Sequence, residues 1–321
     1  MRHYCTYFDR FYLGQGLTLY RSLLALSAGP FVLHVLCFDD ETFDVLSRLG
    51  RADLKPVSLS EFEEGDAALL EAKKTRNRVE YYFTCSPSWL LYLLNRYPET
   101  DIITYLDADL MFHSAPGPIF DEFGDGDVLI VGHRFPERFR KLEVYGIYNV
   151  GLISFRNSPS GRKALGWWRD RCLEWCHDRV EEGRFADQKY LDDWPERFEG
   201  VVVLRHPGAG LAPWNLMNHT IAPGKGAPTV DGRPLVFFHY HGVKVIRRFL
   251  YDLGKDHGPI PRFHRRTVYQ PYVRALKETE RWLQERMPGI TVKYAHPRLK
   301  KYGVGGFIKR LYRGQFLFDL V

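Results

Sequence analysis

Short apolar runs alternate with stretches of helical period along this chain. Residues 3–8 (HYCTYF) read as a strand and residues 13–26 (LGQGLTLYRSLLAL) as an amphipathic helix. Residues 31–38 (FVLHVLCF) read as a second strand after the Gly29-Pro30 break. A weaker helix is expected over 41–49, a short strand over 55–60, and one long helical stretch from about Asp66 to Asn95. A strand then ends at Asp107. Further on come strands at 127–133, 149–156, 201–204 and 235–242, a Trp-rich helix over 161–180 and a clear helix over 271–287. No internal repeat or low-complexity linker interrupts the series. Strands and helices in alternation predict an α/β fold, a mostly parallel sheet covered by helices on both faces. Ligands in such sheets bind outside the carboxyl ends of the strands.

The stretch DIITYLDADLMF (101–112) ends its apolar run in two carboxylates, Asp107 and Asp109. In extended chain, positions i and i+2 share a face, so the pair would converge at the strand's end. Convergent carboxylates repel unless a cation lies between them. Hard oxygen ligands suit Mg²⁺ or Mn²⁺, ions that bridge protein carboxylates to substrate phosphates. A third ligand is expected, and His239 and His241, sharing one face of VFFHYHGVK if it stays extended, are the candidates. An imidazole in the set shifts the preference toward Mn²⁺. A second Asp-X-Asp, Asp125-Gly-Asp127, sits among glycines and reads as a turn with capping carboxylates.

Composition narrows the partners. The 321 residues, 45% hydrophobic and 15% aromatic, suffice for a large core. No apolar run approaches the length of a membrane span, and the first residues enter a strand pattern without a signal-like apolar stretch, so a cytoplasmic location is expected. Five cysteines at irregular spacing argue against a disulfide framework; Cys172 and Cys176 read as reduced thiols on a helix face. From Lys244 to the end the chain carries 18 Lys and Arg against 6 Asp and Glu, a balance of +12, whereas the preceding part carries −6. The sequence therefore divides into a body, 1–244, and a basic, mainly helical region, 245–321. That region is expected either to meet an anionic partner, phospholipid head groups at the inner membrane face, a lipid-linked phosphate or nucleic acid, or to be a solvated surface. Its end, GVGGFIKRLYRGQFLFDLV, reads as an amphipathic membrane-surface element or as a segment packed on the body.

Four ordered motifs carry a resemblance: YLDADL after an apolar strand, YNVGLISFRN, ADQKYL, and HYHG followed by Val243 and Lys244. Together they resemble the retaining glycosyltransferases of family 8, the group of glycogenin and the bacterial lipopolysaccharide galactosyltransferases, which have the Rossmann-like GT-A fold, a mixed, mostly parallel sheet flanked by helices. The opening CTYFDRFYLGQGLTLYRSLL is similar to the family's first strand and helix. The likeness runs from about His3 to Lys244.

The resemblance implies a nucleotide-sugar donor, most often UDP-linked, bound through Mn²⁺ or Mg²⁺, and transfer with retention to a glycan, lipid-linked or polysaccharide acceptor. It implies metal ligation by Asp107, Asp109 and His239, with Gly242 the glycine of the H-x-x-G signature. Lys244 stands one position earlier than the family's phosphate-binding lysine and lacks the Pro-Trp that follows it there. Asp9 and Tyr12 would face the nucleotide base, Thr6 is a further donor-binding candidate, and Ala108 lies within the donor-binding pair. Lys74 and Arg78 are candidates for the diphosphate or the sugar, with Arg76 equally near. Asn149 and Gly151 match the segment beside the donor sugar. Asp187 and Gln188 match the catalytic pair under the ring, Asp187 toward its hydroxyls and Gln188 toward the anomeric carbon. Trp214 is a candidate to stack on a sugar face, a buried core position being the plainer reading.

The rival readings make different demands. A nucleotidyltransferase or a dehydrogenase needs a Gly-rich phosphate loop near the amino terminus, and CTYFDRFYLGQGL has neither G-x-G-x-x-G nor a P-loop. A non-catalytic carbohydrate- or nucleic-acid-binding protein on a degenerate GT-A scaffold accounts for the aromatics and the basic end. It leaves Asp107, Asp109 and the histidine unexplained, so nucleic acid is not the expected partner.

Overall fold

The computed structural model of the protein describes residues 1–254, 257–294 and 303–319. The chain forms two compact units, interleaved in sequence. The first comprises Met1–Tyr7, Ala28–Asp107 and Gly117–His206; the second comprises Phe8–Ser27, Ala108–Pro116 and the described residues from Pro207 onward.

The first unit is built on a seven-stranded sheet. In chain order its strands are β1 (Arg2–Phe8), β2 (Phe31–Cys37), β3 (Leu54–Ser58), β4 (Ile102–Leu106), β6 (Val128–Gly132), β7 (Tyr148–Arg156) and β8 (Val201–Leu204). Their spatial order is β3-β2-β1-β4-β7-β6-β8. The pairs β2·β3, β1·β4 and β6·β8 are parallel, and β7 alone runs antiparallel to both neighbours. This is the expected mixed, mostly parallel sheet. Helices α2 (Asp40–Arg48), α3 (Leu59–Glu63), α4 (Ala67–Thr75), α5 (Arg78–Arg96), α6 (Gly117–Phe123), α7 (Pro159–Glu174) and α8 (Trp194–Arg197) accompany it. Their core centres on Trp89, Trp168, Trp194, Tyr105 and Phe155, all fully buried.

Two helices differ from expectation. The stretch from Asp66 to Asn95 is interrupted at Asn77, whose side chain accepts from the N–H groups of Val79 and Glu80 while the Glu80 carboxylate accepts from the Asn77 N–H at 2.9 Å. This reciprocal cap starts a new helix, α5, where the apolar pattern alone runs on unbroken. The Trp-rich helix stops at Glu174 because the chain then turns to bring His177 and the Asp178 N–H against Glu80. The Asp125-Gly-Asp127 segment is the expected turn: Asp127 accepts from the Ser158 hydroxyl, and Arg156 donates to the Gly126 carbonyl.

In the second unit, α1 (Leu13–Leu26) spans the expected residues and β5 (Leu110–Phe112) pairs antiparallel with β12 (Phe237–His239). A small sheet joins β9 (Ile221–Ala222), β10 (Thr229–Val230) and β11 (Arg233–Pro234). The basic region contains strands as well as helices: β13 (Lys244–Arg247), β14 (Leu250–Asp252) and β15 (Phe316–Phe318) form a three-stranded sheet. A helical run continues from α9 (Arg262–His264) through a π-turn into α10 (Gln270–Arg286), and α11 (Gly303–Tyr312) precedes β15. Phe238, Tyr240, Tyr269 and Tyr272 form this unit's aromatic core, with Tyr240 stacked on Tyr272 at 3.7 Å.

Candidate functional site

In the first unit the end of β4 carries a carboxylate held in place by its neighbours. Pairing of β4 with β7 sets Leu106 opposite Leu152, and the Asp107 N–H then donates to the Gly151 carbonyl at 2.8 Å. Asn149 shapes that segment by accepting from the Gly151 N–H at 2.8 Å, and its amide lies 3.4 Å from the His133 ring. The Tyr105 hydroxyl donates to Asp107 Oδ1 at 2.8 Å. Burial, and after it the Asp107 charge, pushes the Tyr105 phenol far up, so it stays a donor.

A second buried chain of hydroxyls ends on Asp187. Tyr7 and Ser86 hydroxyls are 3.1 Å apart, and Ser86 donates to Asp187 Oδ2 at 2.8 Å. Trp168 fixes the backbone by donating from Nε1 to the Asp187 carbonyl at 2.9 Å, and the preceding Ala186 sits at φ +46°, a left-handed conformation that alanine rarely adopts. Burial raises the Asp187 carboxyl to about 7; the Ser86 hydrogen bond opposes the shift and the Asp107 charge adds to it. Gln188 is aimed differently, its amide nitrogen donating to the Tyr145 carbonyl at 2.7 Å.

The remaining candidates of this unit stand as follows. Thr6 is fully buried on β1, its hydroxyl without a hydrogen-bond partner among the described residues. Lys74 is exposed on α4 and pairs with Glu71. Arg78 opens α5, and its Nε donates to the Tyr82 hydroxyl at 2.6 Å. Arg76, by contrast, ties the carbonyls of Leu173 and Glu174 to the His177 ring and so serves the fold.

In the second unit the register of β5 on β12 assembles a donor cluster. His239 lies opposite Leu110, and the ladder continues with the Tyr240 N–H donating to the Asp109 carbonyl at 2.9 Å. His239 Nε2 is 3.1 Å from Asp109 Oδ1. The strand expected over 235–242 ends at His239, and a turn closes from Tyr240 to Val243 with Gly242 at φ +76°, a conformation glycine supplies without steric cost. Tyr240 points into the core, so the two flanking histidines share the opposite side, ring centroids 5.5 Å apart. Trp214 is buried and packs edge-on against both, at 5.4 and 5.6 Å.

One ligand atom each from Asp109, His239 and His241 can be chosen so that all lie within 4.8 Å of one another. One carboxylate oxygen with two imidazole nitrogens is a donor set able to hold a divalent ion. Burial alone would raise the Asp109 carboxyl, but the His239 charge and hydrogen bond, with His241 behind them, hold it below its ordinary value. His239 and His241, left as alternatives by the sequence, stand together. In the same unit Asp9 is nearly buried and accepts from the Phe11 N–H at 2.9 Å, and Tyr12, half-exposed, leads into α1. Ala108 is buried, and Lys244 is exposed at the start of β13.

Ser86, Tyr7 and Tyr105 were not among the sequence candidates. Ser86 lies mid-helix with no motif around it, and its partners Tyr7 and Asp187 are 79 and 101 positions away, so only the fold reveals them. All five cysteines are buried and free, as their spacing suggested.

No family model matches the chain. Over 251 residues it is 35% identical to the uncharacterized protein YfnF of Bacillus subtilis (strain 168), spanning 76% of this chain and 82% of that protein. Over 291 residues it is 29% identical to YfnD of the same organism, spanning 88% and 90%. Among solved structures, the galactosyltransferase LgtC in complex with donor and acceptor sugar analogues superposes with a TM-score of 0.52 at 14% identity, over 89% of this chain and all of that one. The shared architecture is the GT-A fold.

Proposed function

From the premise that the chain belongs to the family of the Bacillus subtilis protein YfnF, and from its GT-A fold, we propose that it is a glycosyltransferase of the family 8 kind. It moves a sugar from a nucleotide-diphosphate sugar, UDP-linked in first place, to a glycan, lipid-linked or polysaccharide acceptor with retention. The observation that carries this reading is the cluster of Asp109, the second carboxylate of the Asp-X-Asp segment, with His239 and His241, fixed by the register of β5 on β12. Asp109, His239 and His241 would hold a divalent ion there, and such an ion would supply electrostatic stabilisation to a leaving diphosphate. Asp107, directly before Ala108, is the further carboxylate the resemblance assigns to that ion.

The chain's own groups do the rest. Asp187, backed by Ser86, accepts hydrogen bonds from sugar hydroxyls and orients the ring. Asn149 and Gly151 line the sugar, with the Asn149 side chain already shaping the Gly151 backbone. An amide oxygen is a poor nucleophile, so Gln188 sits at the anomeric carbon as a polar contact; the departing phosphate takes the acceptor hydroxyl's proton on the same face. Thr6, Asp9 and Tyr12 hold the base, Gly242 and Lys244 approach the diphosphate, and Arg78 and Lys74 assist. The basic region from Val245 onward brings the enzyme to the inner, anionic face of a membrane, where a lipid-linked acceptor would be met.

The test is UDP release from a panel of UDP-sugars in Mn²⁺. One donor should release UDP, chelation should abolish the release, and Asp109→Ala should lower it by roughly two orders of magnitude or more. Chelator-insensitive binding of sugars without UDP release from any donor would instead support the non-catalytic reading.

A further inference from the structure

Within the second unit a cavity of about 760 Å³ opens between α10 and the hairpin of β13 and β14. We propose that it binds a phosphate-bearing ligand, with a diphosphate as the best fit. None of the residues assigned above to sugar transfer lines it, and its volume lies in the range of small-molecule sites.

The charges of the cavity are unbalanced. Five cations, Arg247, Arg248, Arg274, Lys277 and Arg281, face three acids, Glu278, Glu280 and Asp319, for a net +2. Two of those acids are committed: Asp319 pairs with Lys277 at 2.7 Å, and Glu280 accepts from the Tyr294 hydroxyl at 2.6 Å. Among the described residues, none of the four arginine guanidiniums has an ion pair or hydrogen bond. Arg274 and Arg281 are two turns apart on α10 and therefore share a face, while Arg247 and Arg248 come from the opposing hairpin tip.

Guanidiniums on two walls suit an anion with several oxygens in more than one plane, because each offers a planar fork of donors that matches phosphate bidentately. Val245, Tyr251, Val292 and Tyr294 give the same cavity an apolar and aromatic side, room for a prenyl chain or a sugar ring beside the phosphate. The shared chemistry is phosphate on an organic body; a lipid diphosphate and a phosphorylated glycan are its two sources.

The experiment is calorimetry on the full chain in chelator at low salt, with pyrophosphate, geranyl diphosphate and glucose 1-phosphate as probes. Chelator removes any metal-dependent nucleotide site, so this result stands apart from the transfer reading. Saturable pyrophosphate binding is expected, weakened at least tenfold in Arg274→Ala/Arg281→Ala and weakened by added salt, with Arg274→Lys/Arg281→Lys intermediate. Both arginines are exposed, and circular dichroism checks that each variant folds. Tighter binding of geranyl diphosphate supports the site with a lipid source, and tighter binding of glucose 1-phosphate supports it with a glycan source. No saturable binding of any probe, or equal binding by the folded alanine pair, overturns the proposal.

Discussion

Asp187 shows what a single residue's surroundings can do. Its carboxyl is held at about 7 chiefly by burial, so between roughly pH 4 and 7 the folded chain keeps a proton that the unfolded chain has released. Stability from this group is therefore greatest at acid pH and declines as pH rises through that window, by on the order of a few kcal/mol in all. Asp187→Asn should flatten that decline, measured as the change in urea midpoint between about pH 5 and pH 7.5; an unchanged slope would show that the carboxyl is not the source. The ligand cluster makes a different demand. His239→Ala and His241→Ala should each weaken Mn²⁺-dependent UDP binding by at least about tenfold, comparable with losing a supporting residue of a metal site. Were His241→Ala silent in calorimetry, the cluster would reduce to Asp109 and His239. Asp109, His239 and His241, which the structure gathers within 4.8 Å, could each be picked out in the sequence as polar residues ending apolar runs. Ser86, Tyr7 and Tyr105 could not, since a hydroxyl becomes part of a site only through neighbours that the fold brings from far along the chain.

Elements with a strong period were read nearly to their ends: α1 matches its expected span, and β4, β6, β7 and β8 lie within a residue or so of theirs. What the pattern missed are local hydrogen bonds that override it. The apolar positions on either side of Asn77 fit one continuous helix, yet the reciprocal cap between Asn77 and Glu80 starts α5 afresh and leaves Arg78 in its first turn. Asn77→Ala removes one half of that cap and should cost about 1 kcal/mol, read as a lowered thermal midpoint; a midpoint within error of wild type would deny the cap its role. Similarly, β12 stops short because Gly242 permits a turn, and that turn, together with the antiparallel register on β5, is what sets His241 beside His239 and Asp109. Period-two reasoning placed both histidines on one face. Only the pairing partner, distant in sequence, placed a carboxylate there as well.

At the scale of the whole molecule, the charge asymmetry and the α11 surface belong together. No helix among the described residues is long and apolar enough to cross a membrane. On α11, however, Val304, Ile308 and Leu311 recur at i, i+4 and i+7 and are 81%, 59% and 46% exposed, while Phe307 packs on Phe316 and Arg310 pairs with Asp252. If the basic region meets anionic lipid as proposed, this exposed apolar stripe is the surface that would enter the interface. Sedimentation with phosphatidylglycerol-containing vesicles should carry the protein down, vesicles of phosphatidylcholine alone should not, and Ile308→Glu/Leu311→Glu should stay in solution; equal recovery in every supernatant would sink the membrane contact. The account as a whole rests on one binding event, and calorimetric titration of UDP in Mn²⁺, in Mg²⁺ and in chelator, on wild type and Asp109→Ala, measures it most directly. The account predicts saturable UDP binding that requires the metal, favours Mn²⁺ and is lost in the variant. UDP binding that is indifferent to metal and to Asp109, or no UDP binding under any condition, would contradict it.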